Sequence, residues 1–227
     1  MVDKYQSPIP ENAEVRIIGT YPNGQKQRAE YVLNGQVVGF RFFMETGEIG
    51  IETPLRNGVK QGIEYHWYSK GKLDSSQPYV NGLEHGVAKQ WSSYDGRLIG
   101  TYTMEYGTGI DLWRGEGADG SVYLTEIRYM KDGLRHGFEW WLDSDQKSVR
   151  EEHHFYQNQE HGIERCWNWQ GRLCRGYPRY WVHSERVNKA KYLKASERDP
   201  DLPTFRKEDN EPARTFSPEI REHLRPD

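Results

Sequence analysis

Glycine punctuates this chain at a nearly fixed interval, and that interval restricts the fold more than any other feature of the sequence. All 23 glycines fall between Gly19 and Gly176. Asn-Gly or Asp-Gly pairs stand at Asn34-Gly35, Asn57-Gly58, Asn81-Gly82 and Asp132-Gly133, and each is followed four residues later by a second glycine, at Gly39, Gly62, Gly86 and Gly137. Histidine precedes three glycines of this second kind, in His85-Gly86, His136-Gly137 and His161-Gly162. An aromatic residue comes four or five positions further on (Phe43, Trp67, Trp91, Trp141, Trp167), and then Gly47, Gly71, Gly96 and Gly171 precede Ile49, Leu73, Leu98 and Leu173 by two positions. The second glycines are 23, 24 and 25 residues apart where they are consecutive, and a degenerate unit around Gly109 and Trp113 fills the interval between 86 and 137. Six units of about 24 residues result, with Tyr21–Tyr31 a preceding half-unit. A fixed period in the range of ~20–50 residues is the signature of a repeat array.

The physics of one unit is local. Asn-Gly supplies the positive φ angles that tight hairpin turns require, and period-2 alternation follows each second glycine. One strand face carries Phe40, Phe42 and Met44, then Ile63, Tyr65 and Trp67, then Val87 and Trp91. It continues through Ile110 and Leu112, then Phe138, Trp140 and Leu142, then Ile163, Trp167 and Trp169. The other face carries Arg41, Glu45, Glu64, His66, Gln90, Asp111, Glu139 and Glu164, which reads as a solvated side. The expected fold is all-β: an elongated, twisted antiparallel meander of about six β-hairpin repeats, with a short C-terminal helix and an extended tail. The expected divisions are an N-terminal lead-in over 1–19, the array over 20–177, a strand/helix cap over 178–199 and a Pro-rich polar tail over 200–227.

The pattern Tyr-x-Asn-Gly-x-x-His-Gly, four residues, Trp, then Gly-x-Leu resembles the bacterial variant of the MORN repeat (membrane occupation and recognition nexus), found in the YwqK-family antitoxin group. The match is best over Tyr79–Leu98, good over Tyr129–Trp141 and Tyr156–Leu173, weaker before residue 55, and spans residues 20 to 177 in all. What the resemblance implies is a hairpin-repeat fold serving as an interaction surface, with an antitoxin or immunity-type role. On this reading Gly35, Gly39, Gly58, Gly62, Gly82, His85, Gly86, Trp91, Gly133, His136, Gly137, His161, Gly162 and Trp167 are the repeat-defining structural positions.

After Tyr177 the texture changes. Tyr180-Trp181-Val182 reads as a last strand, and Asn188 caps a helix from Lys189 to about Glu197, with Ala190, Leu193 and Tyr192 toward the sheet. Pro200 to Asp227 holds five of the eleven prolines and no glycine, and is expected either disordered or laid along the sheet. The helix is expected to cover the open end of the array.

Charge and composition remove several function classes. Lys plus Arg is 31 and Asp plus Glu is 34, giving a net charge of −3, which argues against a phosphate-neutralising nucleic-acid binder. Residues 178–227 hold eleven basic and ten acidic side chains, so they form no polybasic membrane clamp. Apolar residues make up 35% of the chain, yet aromatics reach 13%, a balance suited to half-buried strands rather than to disorder. No run approaches ~18 apolar residues, and the first five residues lack the apolar core of a signal peptide, so a cytoplasmic location is expected. Cys166 and Cys174 flank the turn at Gln170-Gly171 and face each other if the loop has three residues; free thiols are expected, with a redox pair the alternative.

Chemical motifs are weak. Gly115-Glu116-Gly117-Ala118-Asp119-Gly120 matches the dinucleotide pattern by letter, but Val122 to Tyr129 reads as a strand where a helix is required, so it is a turn. His85, His136 and His161 recur two strands apart or more, roughly 9.5 Å per unit, too far to share one metal; they are expected to bond turn backbone. His153 and His154 alternate across a strand. With no catalytic dyad apparent, no enzyme and no cofactor are expected. Trp67, Trp91 and Trp167 read as core, whereas Phe43, Trp113 and Trp141 interrupt the charged face and are the candidate anchors for a partner. The expected partner is another protein, with neither nucleic acid nor membrane, and open edges allow a homodimer by strand pairing. Glycan or small-ligand stacking on the aromatic face is the alternative, and phospholipid binding a weaker one.

Overall fold

A computed structural model describes residues 5–224. It is mostly antiparallel strand, with two short helices near the C-terminal end, and divides into two compact units between Gly107 and Thr108. Unit 1 holds β1 (Glu14–Thr20), β2 (Lys26–Leu33), β3 (Gln36–Phe43), β4 (Ile49–Arg56), β5 (Val59–Lys60), β6 (Gly62–Trp67), β7 (Leu73–Val80), β8 (Leu83–Glu84), β9 (Gly86–Trp91) and β10 (Leu98–Glu105). Unit 2 holds β11 (Thr108–Glu116), β12 (Val122–Lys131), β13 (Leu134–Leu142), β14 (Val149–Tyr156), β15 (Gln159–Glu160), β16 (Gly162–Cys166), β17 (Arg179–Val182), β18 (Glu185–Val187), α1 (Lys189–Ser196) and α2 (Pro218–Arg221). Within each unit successive strands pair antiparallel, with β5–β6, β8–β9 and β15–β16 each the two halves of one bulged strand that pairs with the strand before it, the all-β meander expected.

Among the described residues, seven tight turns have two successive residues at positive φ: Asn34-Gly35, Asn57-Gly58, Asn81-Gly82, Tyr106-Gly107, Asp132-Gly133, Gln157-Asn158 and His183-Ser184. They recur every 23 to 26 residues, the period seen in the sequence. Three lack the Asn-Gly or Asp-Gly signature, and what holds them is the preceding hairpin. The second turn residue donates its N–H to a carbonyl there: Gly82 to Lys60, Gly107 to Glu84, Asn158 to Arg135 and Ser184 to Glu160, at 2.7–3.0 Å. The first turn residue donates to the side chain just before the second glycine. Asn81 N–H reaches Gln61 Oε1 (3.0 Å), Tyr106 reaches His85 Nδ1 (3.2 Å), Asp132 reaches Thr108 Oγ1 (3.1 Å) and His183 reaches His161 Nδ1 (3.1 Å). His85 and His161 are thus acceptors that staple one turn to the next. His136 lies tilted on Tyr156, 5.1 Å between ring centroids. His85→Ala should cost about 1 kcal/mol in chemical denaturation, with Asn restoring most of it as a substitute acceptor; equal loss for both variants would refute the staple.

The second glycines mark β-bulges. In the β6, β9, β13 and β16 hairpins two residues, such as Gln61-Gly62 and His161-Gly162, are extra on the second strand. The bulge in β3 has one extra residue, between Tyr31↔Gly39 and Val32↔Val37. A one-residue difference flips the faces, which corrects the expected alignment. Phe42 pairs with Ile51, which pairs with His66, so Phe40 and Phe42 share a face with Glu64 and His66 rather than with Ile63 and Tyr65.

The ends also differ from the sequence reading. β1 lies mostly within the 1–19 lead-in and pairs with β2, because a Tyr21–Gln25 turn with Gly24 at φ +83° closes one more hairpin. Asn188 Oδ1 caps α1 by accepting from Lys191 N–H at 2.9 Å, as expected. Only Tyr192 of the three helix residues named is buried; Ala190 and Leu193 are exposed, and Ala195 packs beside Tyr192 instead. Through residue 224 the tail is laid along the sheet of unit 2, the second of its two expected placements. Ala213 bridges Ser148, Phe216 meets Trp140 edge-on (5.6 Å), and Leu202, Phe216 and Ile220 are buried.

Candidate functional site

The largest departure from the sequence reading is the charged face. Glu64, Asp111, Glu139, Glu164 and Gln90, expected in solvent, are all buried, whereas Ile63 and Val87 from the expected apolar face are 39% and 50% exposed. Carboxylates tolerate this because each has close donors. Glu64 takes the Thr53 hydroxyl (2.6 Å), Lys60 Nζ and His66, and although burial opposes its charge these three partners hold its carboxyl down at about 2. Glu139 takes Arg128 Nε (3.0 Å) and Arg135 Nη1 (3.2 Å). Glu164 takes Arg179 Nη1 (3.1 Å) and Trp181 Nε1 (2.8 Å). Lys60–Glu64 and Arg135–Glu139 are the same pair in two hairpins, spanning the bulge from two residues before the glycine to two after it.

Trp113, Glu126 and Trp141 form one cross-strand row, since Glu126 pairs with both tryptophans. Both tryptophans are half-buried, and Trp141 meets His153 edge-on at 5.3 Å. Beside them Arg128 is shared by Asp111, Glu126 and Glu139. With burial the main cause, and Glu139 close by, Glu126 is pushed up to about 7 despite Arg128. A carboxyl raised from 4.5 binds more protons in the folded than in the unfolded chain, so its stabilising contribution is complete below pH 4.5 and is lost as pH rises through 7. Glu126→Gln should therefore be more stable relative to wild type at pH 8 than at pH 4.5; a pH-independent difference in melting would refute the shift. Trp141 also lines an open cavity of about 480 Å³ with Tyr123, Thr125, Arg150 and Glu151.

Phe43 is placed differently from these two. It packs against the cluster of Ile9, Ala13, Ala29 and Tyr31, so it braces the N-terminal segment rather than facing outward. That segment is seated by Tyr5 OH and Ser7 Oγ, both donating to Glu52 at 3.1 Å, and by the Tyr5 ring set edge-on to Tyr65 and Trp67. Ile9 lies where a Cβ on Gly39 would come within 2.5 Å of it, which explains the glycine there. Next to the segment runs a groove of about 720 Å³ lined by Ser7, Pro8, Ile63, Tyr65, Val87 and Trp91. The sequence reading missed this groove, since Ile63 and Val87 looked like core; their only signal was position, one residue after a bulge glycine.

Those same repeat positions are covered in unit 2. Phe138, Trp140, Ile163 and Arg165 hold the one- and three-residue positions after Gly137 and Gly162, and the chain's own 202–220 segment lies over them. Ile163 clusters with Leu202, Trp140 meets Phe216, and Arg165 Nε donates to Asn210 Oδ1. In unit 1 the equivalent row is open at Ile63 and Val87.

His161, His183 and Asp199 bring three potential metal-ligand atoms within 4.8 Å of one another. As a metal ligand, the sequence pattern sets His161 beside His85 and His136 of other hairpins, and not beside His183 or Asp199. His161 Nδ1 accepts the His183 N–H at 3.1 Å, an arrangement suited to a neutral ring with its proton on Nε2, which lies 3.3 Å from Asp199 Oδ2. The trio fastens the end of α1 to the last hairpin.

No family model and no curated protein matches this chain. Among the described residues, no helix is long and apolar enough to cross a membrane.

Proposed function

We propose that the chain is a non-catalytic protein-interaction module of the MORN-variant type, and that its unit-1 groove receives an extended segment of a partner protein. One observation carries this reading: the repeat face that the chain's own segment covers in unit 2 is left open in unit 1, with Ile63 and Val87 39% and 50% exposed beside Tyr65 and Trp91. The segment on unit 2 supplies the template for the occupant, an extended chain with spaced apolar residues and prolines. An antitoxin or immunity-type role is the form that the YwqK resemblance gives to such docking, and a cytoplasmic setting goes with it.

The test immobilises the full chain and a Val87→Glu variant and compares what each retains from host lysate. A protein retained in stoichiometric amount by wild type and lost by Val87→Glu supports the groove. Retention by Val87→Glu but not by Trp141→Ala would move the interface to the Trp113–Glu126–Trp141 row. A second reading, glycan binding, draws on the cavity where Tyr123 and Trp141 stand beside Arg150 and Glu151. Failure of all three baits to retain protein, with a tryptophan fluorescence shift on one of a panel of sugars, would replace the first reading by the second.

A further inference from the structure

Cys166 ends β16, and Cys174 lies across the loop that follows. Trp167 and Leu173 bridge antiparallel, so the two cysteines are the next facing pair, and the Cys174 N–H donates to the Cys166 carbonyl at 2.8 Å. A hydrogen-bonded antiparallel pair holds its Cα atoms about 5.5 Å apart, within the most frequent span of a disulfide, about 5.5–6 Å. The sulfurs are 3.1 Å apart and both residues are half-buried free thiols. Bond formation therefore needs side-chain rotation and no movement of strands. The residues on either side of Cys166 hold the C-terminal segment: Arg165 Nε donates to Asn210 Oδ1 (3.3 Å), Trp167 Nε1 donates to the Asn210 carbonyl (2.7 Å), and Arg214 lies over the Trp167 ring (5.0 Å).

We propose that Cys166 and Cys174 are a reversible redox pair, oxidised by a low-molecular-weight disulfide, and that the disulfide braces β16 where the C-terminal segment docks. Burial, the neighbouring Cys174 thiol and the Glu151 and Glu164 carboxylates push Cys166 up to about 12, so it stays protonated at neutral pH. One of the two thiols, as its thiolate, attacks the oxidant, forms a mixed disulfide and releases one small thiol. The other then loses its proton and attacks the protein sulfur of that mixed disulfide, expelling the second small thiol, which takes up that proton. Two protein thiols and one small disulfide become one protein disulfide and two small thiols. The step is independent of the docking proposal, since it requires no partner.

The experiment incubates the full chain with graded ratios of oxidised to reduced glutathione and follows intact mass under non-reducing conditions. The expected product is a monomer lighter by two hydrogen atoms, returned to the starting mass by dithiothreitol. Its melting temperature should rise by about 5 °C, and protease cleavage within 200–217 should slow. Cys174→Ser should stop at a single glutathione adduct or remain unreacted, without the melting shift. The wild-type mass result stands even if that variant folds poorly. Stable adducts on both cysteines, a disulfide between two chains, or no reaction in oxidising buffer while the denatured chain reacts would each overturn the proposal.

Discussion

Glu152→Ala should remove about 3–5 kcal/mol of stability, because it leaves a buried guanidinium without its counter-charge. Glu152 is 2% exposed and Arg165 3% exposed. The carboxylate is bound by Arg165 Nη1, by Arg214 Nε at 2.9 Å and by Trp140 Nε1 at 2.8 Å. Two cations and an indole thus converge on one anion, and Arg214 belongs to the C-terminal segment. The variant should lose its midpoint in urea by the corresponding amount and should be cut faster by protease between residues 200 and 217. Glu152→Gln, which keeps the shape and an acceptor but not the charge, should lose less. Alanine within 1 kcal/mol of wild type would mean that apolar contacts of Phe216 and Ile220, and not this network, hold the segment.

The second large effect is at Gly162. Its φ is +157°, and a Cβ there would stand 2.6 Å from His154 Cβ and 2.9 Å from His154 Cγ. His154 has little room to give: it is half-buried, and its Nδ1 lies 2.6 Å from the His161 carbonyl. Gly162→Ala combines backbone strain with overpacking, each about 1–3 kcal/mol, for a loss of about 3 kcal/mol. Gly35→Ala is the control. Its φ is +79° with no atom within 4 Å of the added Cβ, so only the left-handed backbone is penalised, about 1 kcal/mol. Equal melting temperatures for the two variants would show that the bulge glycine is not packed as described.

The hairpins were legible because their cause is local. A turn with two residues at positive φ selects Asn, Asp and Gly, so four of the seven turns announce themselves at Asn34, Asn57, Asn81 and Asp132. Gln157-Asn158 and His183-Ser184 do not, and they persist because Asn158 and Ser184 donate to Arg135 and Glu160 of the hairpin before. The role of His85 and His161 was legible for a similar reason: beside a turn, an imidazole finds a backbone N–H. Less could be read of the candidate site. The groove depends on the N-terminal segment lying beside Tyr65 and Trp67, and on no segment among the described residues lying over Ile63 and Val87, and neither is a property of the strands themselves.

By itself, the sequence determined the period, the turn positions, the antiparallel meander and the helix cap at Asn188, since each follows from the conformational preferences of a few adjacent residues. Tertiary structure alone decided which face is inside. The number of residues in the β3 bulge sets whether Phe42 lies with Glu64 or with Tyr65, and burial of Glu64, Glu139 and Glu152 needs, beside the near neighbours Lys60, His66 and Arg135, the donors Thr53 and Arg128 of adjacent strands and Arg214, 62 residues from Glu152 along the chain. Charge burial depends on such long-range neighbours, because a carboxylate's cost is set by the donors around it and not by its own position in an alternating pattern.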